Sequence, residues 1–194
     1  ALLSVTPSPA TKQDKMVSKA IFLDRDGVIN KSIMKDGKPH APRKFSDFKL
    51  FPGVVEAIKN LSDAGYLIFV ATNQPDIGNK LVDPNEVEKM HAYLMEKLPI
   101  KEIYMCPHRQ DENCECRKPK PGMLFAAKNK FNIDMSASFM VGDRYSDVQT
   151  SLAAGCTPVF VDHDYLETPD FDVNMRFQSL VEASARILER LERK

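Results

Sequence analysis

The chain has 194 residues, 43% of them hydrophobic and 28% charged, and its 27 Lys plus Arg balance 27 Asp plus Glu. That length suits one sizeable core, and the charge balance disfavours a broad electrostatic footprint for nucleic acid or an anionic membrane. No apolar stretch approaches the roughly 18–20 residues of a membrane span.

Residues 1–16 are rich in Ser, Thr and Pro and lack hydrophobic periodicity, which predicts a flexible leader ahead of one domain spanning 17–194. The leader has neither the basic start nor the long apolar block of a secretory signal, so a cytoplasmic, reducing compartment is expected. "KAIFLD" (19–24) then reads as a buried strand running into an acidic loop. "PGVVEAIKNLSDAG" (52–65) places Val54, Ile58 and Leu61 at helical spacing and closes on Gly65. "YLIFVATNQ" (66–74) is a second apolar strand with a polar end. In "DPNEVEKMHAYLMEKLP" (83–99), Val87, Met90, Leu94 and Leu98 share one helical face behind Asp83 as cap and Pro84 in the first turn. "IKEIYMC" (100–106) predicts a strand, "PGMLFAAKNKFN" (121–132) a helix, "SFMVGD" (138–143) a strand and "SDVQTSLAAG" (146–155) a helix. "TPVFVD" (157–162) is the last clear strand. "SLVEASARILERLERK" (179–194) opens with Ser179 and Glu182 as a capping box and predicts a charged C-terminal helix with a solvated face.

Continuous apolar strands alternating with amphipathic helices predict an α/β fold, a doubly wound and mostly parallel sheet with helices on both faces. Ligands in such folds bind beyond the carboxyl ends of the strands. Those ends here read "DRDG", "TNQ", "CPH" and "GDRYSD", and they are expected to meet at one rim.

The chemistry concentrates at these ends. Asp24 and Asp26 project to the same side of an extended segment, and Gly27 permits a sharp turn after them. With Asp143 and Asp147 from far along the chain, they form a carboxylate set suited to Mg²⁺. The bland reading makes Asp24 and Asp26 turn or cap residues. Thr72, Asn73 and Gln74 offer hydrogen-bond donors to a phosphoryl oxygen, although such residues are common after strands. Arg117 and Lys118 supply positive charge of the kind that stabilises phosphoryl transfer, or else a solvated basic pair. Cys106, His108, Cys114 and Cys116 provide the four soft ligands of a closed structural Zn²⁺ site, with a disulfide or reactive thiols as alternatives. Such a zinc-bound loop positions Arg117 and Lys118. Cys156 reads as an inert buried residue, and His40, His91 and His163 carry no partner signal, with His91 expected to pack beside core positions.

Taken together and in order, "FLDRDGVIN" (22–30), "ATNQ" (71–74), "RKPKPG" (117–122) and "VGDRYSD" (141–147) resemble the four motifs of the haloacid dehalogenase-like phosphatases. The missing long insertion resembles the capless branch, so the resemblance implies a Rossmann-like fold with no large cap domain. It implies Asp24 as the nucleophile that forms an aspartyl-phosphate and Asp26 as general acid and base. Mg²⁺ is implied on the Asp24 carboxylate, the Asp26 carbonyl and Asp143, with Asp147 orienting the metal's surroundings or Lys118. Thr72 and Lys118 would hold the phosphoryl group, while Asn73, Gln74, Arg117 and Arg144 would contact substrate.

Within that branch, the C-x-H-x5-C-x-C loop before R-K-P resembles two groups, the D-glycero-D-manno-heptose 1,7-bisphosphate 7-phosphatases and the histidinol-phosphate phosphatases. The first implies a step toward nucleotide-activated heptose for lipopolysaccharide or surface glycans. The second implies histidine biosynthesis. Departures lie around the substrate: a longer, more basic segment after the first motif, Pro75-Asp76-Ile77 where the heptose enzymes carry Ser-Gly-Ile, and Arg144 where lysine is usual. Lys35, Lys38, Arg43 and Lys44 make the first loop basic, which favours a sugar bisphosphate over the cationic histidinol phosphate. A polynucleotide 3′-phosphatase shares the first two motifs, but the neutral charge and the cysteine loop speak against it. A non-catalytic zinc-bearing interaction module is the reading outside enzymes. The expected partner is a small phosphorylated metabolite, with no nucleic acid and no membrane, and the protein is expected to be a monomer.

Overall fold

The computed structural model describes residues 16–165 and 173–192, so nearly all of the expected leader lies outside the described residues. The first strand, β1 (Lys19–Leu23), is followed by a hairpin, β2 (Ile33–Lys35) and β3 (Lys38–His40). Helix α1 (Val54–Asp63) leads to β4 (Tyr66–Asn73), a single turn α2 (Pro75–Gly78), α3 (Pro84–Lys97) and β5 (Ile100–Cys106). Then come α4 (Gly122–Phe131), β6 (Phe139–Gly142), α5 (Tyr145–Ala154), β7 (Thr157–Val161), β8 (Arg176–Phe177) and α6 (Leu180–Glu192).

Local chemistry sets the helix boundaries. The Asp83 carboxylate accepts from the Asn85 N–H at 2.9 Å, with Pro84 at the first helical position of α3. Gly155 ends α5 in the left-handed region at φ 81°. The six-stranded sheet runs β5-β4-β1-β6-β7-β8, with every pairing parallel. The hairpin forms a separate two-stranded sheet.

Because successive side chains of a strand point to opposite faces, the sheet divides the core in two. Ile21, Leu23, Ile68 and Val70 pack with Ile58, Met90 and Leu94 of α1 and α3 on one face. Ala20, Phe22, Phe69 and Ala71 meet Met123, Leu124 and Ala127 of α4 on the other. The doubly wound α/β expectation holds, and the described residues include no large cap. The carboxyl ends of β1, β4, β5 and β6 lie side by side, as expected of one rim.

Three features were not expected. The hairpin occupies part of what reads as loop in the sequence, turning through Asp36 and Gly37 at φ 52° and 73°. The two-residue β8 extends the sheet edge. The C-terminal helix is also not simply a solvated face. Leu180, Ala183 and Ile187 are buried against α1 and the sheet, because their i, i+3, i+7 spacing forms an apolar stripe among the charges.

That packing gives a stability prediction. Ile187→Ala should cost about 2–5 kcal/mol in urea unfolding, the range for truncating a fully buried isoleucine. A loss below about 0.5 kcal/mol would match a solvated helix instead.

Candidate active site

The end of β1 delivers Asp24, which is 8% exposed, and the chain turns at Gly27 with φ 85°. A Cβ at Gly27 would stand 2.0 Å from Asp143 Oδ2, so both backbone geometry and close approach require glycine there. The next carboxylate, Asp26, is held from three directions. Asn30 Nδ2 donates to Oδ1 at 2.9 Å, Gln74 Nε2 to Oδ2 at 2.7 Å, and Arg25 Nη2 to Oδ2 at 3.0 Å.

Lys118 is the hub of the site. Its ammonium, 3% exposed, stands 2.9 Å from Asp24 Oδ1 and 2.6 Å from Asp147 Oδ1, and it donates to the Ala71 carbonyl at 2.9 Å. Burial works against its charge, but Asp147 and Asp24 outweigh burial and hold its pKa above the ordinary lysine value. Asn73 fixes the lysine's backbone, accepting from the Lys118 N–H at 3.1 Å and donating to its carbonyl at 3.2 Å. Burial pushes the Asp24 carboxyl up to about 6, with Asp147 and Asp26 adding to the shift and Lys118 opposing it. Asp143 is raised well above the carboxylate range by burial, by Asp24 and by Asp147.

The site residues expected from the sequence converge, with differences in what they face. Asp24, Asp26, Asn73, Arg117, Lys118, Asp143 and Arg144 line one cleft of about 620 Å³. Thr72 and Gln74 lie beneath its floor, 1% and 2% exposed, where Gln74 Nε2 donates to Thr72 Oγ1 at 2.9 Å. Gln74 thus braces Asp26 and Thr72 from below, with its side-chain N–H group engaged by both. Asn73 lines the cleft, but its amide is committed to Lys118. The Asp147 carboxylate also accepts the Arg144 N–H at 3.0 Å, closing the first turn of α5.

Of the four basic residues of the first loop, Arg43 lines the cleft, and its Nε lies 2.7 Å from Asp76 Oδ2. Lys35, Lys38 and Lys44 are absent from the lining, so the rim's positive charge rests on Arg43, Arg117 and Arg144 rather than on the lysines. Arg117 Nη1 is buried with no hydrogen-bond partner, and Arg144 Nη2 donates to the Pro39 carbonyl at 3.2 Å.

Three residues with no signal in the sequence also converge here. His163 Nε2 hydrogen-bonds the Gly27 carbonyl at 2.6 Å and its ring stacks on Phe51, so this histidine is not partnerless. Tyr165 lies over the Arg144 guanidinium at 5.4 Å, and burial followed by Asp143 raises its hydroxyl pKa. His91 Nε2 lies 3.1 Å from Arg25 Nη1, so it also has a partner. Each contact spans at least 21 positions, beyond the reach of periodicity or local spacing.

Two groups of side chains fit metal ions. Carboxylate oxygens of Asp24, Asp143 and Asp147 lie within 4.8 Å of one another, all buried, with one ammonium among them. Asp143 Oδ1 has no hydrogen-bond partner. An excess of buried negative charge made of hard oxygens is the donor set of Mg²⁺. The second group is Cys106, His108, Cys114 and Cys116. Cys106 Sγ stands 3.5 Å from Cys114 Sγ and 3.5 Å from His108 Nδ1, and His108 Nδ1 lies 3.2 Å from Cys116 Sγ. At Zn–S about 2.3 Å and Zn–N about 2.0–2.1 Å, tetrahedral ligand atoms stand roughly 3.4–3.8 Å apart, so the four residues fit one ion. No disulfide joins the four cysteines in this structure, and Cys106 Sγ and Cys116 Sγ each stand 3.5 Å from Cys114 Sγ.

Residues 19–165 match the family model described as polynucleotide kinase 3 phosphatase. The chain is 37% identical over 161 residues to the D-glycero-alpha-D-manno-heptose-1,7-bisphosphate 7-phosphatase of Campylobacter jejuni, covering 80% of this chain and 89% of that protein. It is 40% identical over 147 residues to the D-glycero-beta-D-manno-heptose-1,7-bisphosphate 7-phosphatase of Yersinia pestis, covering 70% of this chain and 75% of that one. Among solved structures, the D,D-heptose 1,7-bisphosphate phosphatase of B. bronchiseptica, complexed with magnesium and phosphate, superposes with a TM-score of 0.75 at 30% identity. That match covers 89% of this chain and 99% of that one.

Proposed function

The chain belongs to the polynucleotide kinase 3 phosphatase family, within the haloacid dehalogenase-like phosphatases, and from that premise we propose that this phosphatase removes the 7-phosphate of D-glycero-D-manno-heptose 1,7-bisphosphate. The observation that carries the chemistry is Lys118, buried between Asp24 and Asp147 at the floor of an open cleft. The names of the relatives carry the substrate.

In the first step an Asp24 carboxylate oxygen attacks phosphorus, the bond to the sugar oxygen breaks, and Asp26 gives that oxygen a proton. In the second, Asp26 takes a proton from water as the water oxygen attacks phosphorus, releasing inorganic phosphate and restoring the Asp24 carboxylate. Lys118 offsets charge on Asp24 and on the phosphoryl oxygens. The Thr72 hydroxyl accepts from Gln74, which leaves its own proton to donate to a phosphoryl oxygen. The Asp24 and Asp143 carboxylates and the Asp26 carbonyl would hold magnesium, whose positive charge would let an anionic phosphate approach an anionic nucleophile. Cys106, His108, Cys114 and Cys116 would hold zinc, which would tie down a loop with little apolar content of its own. The Gln74 N–H donates to the Cys106 carbonyl at 2.8 Å, so that loop and the β4 end are fastened together.

Substrate choice falls to the rim. Arg117 brings a buried, unpartnered guanidinium nitrogen to the cleft, and Arg144 adds a second cation. An anionic or hydroxyl-rich leaving group suits both, whereas the amine of histidinol phosphate meets repulsion. A phosphate-release screen with Mg²⁺ should therefore rank heptose 1,7-bisphosphate above histidinol phosphate by about tenfold or more in kcat/KM, equivalent to about 1.4 kcal/mol. Arg117→Ala should reduce that preference more than it slows 4-nitrophenyl phosphate. Histidinol phosphate clearly ahead would replace the substrate and leave the phosphatase mechanism standing.

The metals should separate experimentally. Brief EDTA treatment should abolish activity that Mg²⁺ alone restores, while elemental analysis still finds about one zinc per chain. Cys114→Ser should lose that zinc, melt at lower temperature and turn over more slowly. Zinc-free wild-type protein and a fully active, stable variant would contradict the structural-zinc assignment.

A further inference from the structure

Arg25, between the two aspartates of the first motif, is fully buried, and its guanidinium is divided between two partners. Nε and Nη2 face Asp26, at 3.3 Å from Oδ1 and 3.0 Å from Oδ2, while Nη1 lies 3.1 Å from His91 Nε2 on α3. Arg25 Cζ also lies 5.7 Å from the centre of the Phe48 ring. A guanidinium has no acceptor, so Nη1 donates and His91 Nε2 accepts, which puts the ring proton on Nδ1.

We infer that His91 is a positioning residue for the reaction, holding the Arg25 guanidinium in the rotation that presents two N–H edges to Asp26 and so setting where the Asp26 carboxylate stands. Arg25 needs an acceptor on the side away from Asp26, because a buried N–H left unpaired loses its water partners without replacement. Without His91, the fork can recover an acceptor by rotating, and the carboxylate it holds moves with it. Burial, reinforced by the Arg25 charge, lowers the His91 pKa to about 4, which keeps the ring neutral and able to accept. Asn30 and Gln74 still hold Asp26, so loss of His91 displaces the carboxylate without freeing it.

This inference rests on the reading of Asp26 as the group that protonates the leaving oxygen. Its test uses two substrates, because protonation matters for an alkyl phosphate and little for 4-nitrophenyl phosphate, whose leaving group departs as a stable anion. His91→Leu removes the acceptor and His91→Gln restores one, with folding checked by circular dichroism. His91→Ala repeats the deletion should leucine not be accommodated. Expected are a loss of about tenfold in kcat/KM for a simple alkyl phosphate, about twofold or less for 4-nitrophenyl phosphate, and recovery to within about threefold in His91→Gln. Equal losses on the two substrates, or no loss, would overturn the inference, since a packing role slows both alike. Asp26→Asn on the same pair separates the two claims. If it also loses both equally, the acid assignment fails and takes the inference with it. If it loses the alkyl substrate selectively while His91→Leu does not, the inference alone fails.

Discussion

A single buried ammonium organises this protein. Lys118 is almost wholly removed from water, and burying an unpaired charge costs several kcal/mol even after relaxation. It is tolerable here because Asp24 and Asp147 stand 2.9 and 2.6 Å away, one delivered by the end of β1 and the other by α5. The pairing joins the loop after the cysteine cluster to the end of β1 and to the first turn of α5. Removing any of the three would strand charge in the interior. The catalytic geometry and the local stability therefore depend on the same contacts.

The rest of the site can be read as support for that ammonium. Asn73 grips the Lys118 backbone on both sides, and β4 is itself paired along its end with β5, which carries Cys106. On the proposed reading, the zinc ligands fix the start of the loop and Asn73 fixes its far side. Lys118 then has little freedom left, which preorganises its charge instead of requiring it to reorganise during the reaction. Three buried carboxylates around one lysine leave net negative charge, and the raised pKa values of Asp24 and Asp143 express that same excess. On the proposed reading, a divalent cation would resolve it by charge balance.

Much of this was legible in the sequence, for identifiable reasons. Apolar runs bounded by polar ends fixed the strands, and parallel topology sends their carboxyl ends to one edge, so Asp24, Thr72, Cys106 and Asp143 could be grouped before any contact was known. The close spacing of Cys106, His108, Cys114 and Cys116 likewise exposed the cluster. What stayed hidden was side-chain direction and distant pairing. Nothing in the sequence signals that Gln74 also braces Asp26 and Thr72. His91 and His163 look idle, because their partners Arg25 and Gly27 lie 66 and 136 positions away. The hairpin did leave a signal in its Asp36-Gly37 pair, but its strands, at three residues each, are too short for an alternating pattern to register. The apolar stripe of α6 was present at Leu180, Ala183 and Ile187, outweighed by the charged residues between them.

On the proposed reading, Asp24 is the group that becomes phosphorylated. Rapid acid quench during turnover, followed by peptide mass mapping, tests that claim most directly. One phosphoryl group should appear on the peptide containing Asp24, and it should be absent from Asp24→Asn protein whose folding is checked by circular dichroism. A phosphoryl group on another residue, or hydrolysis that continues undiminished in Asp24→Asn, would contradict it.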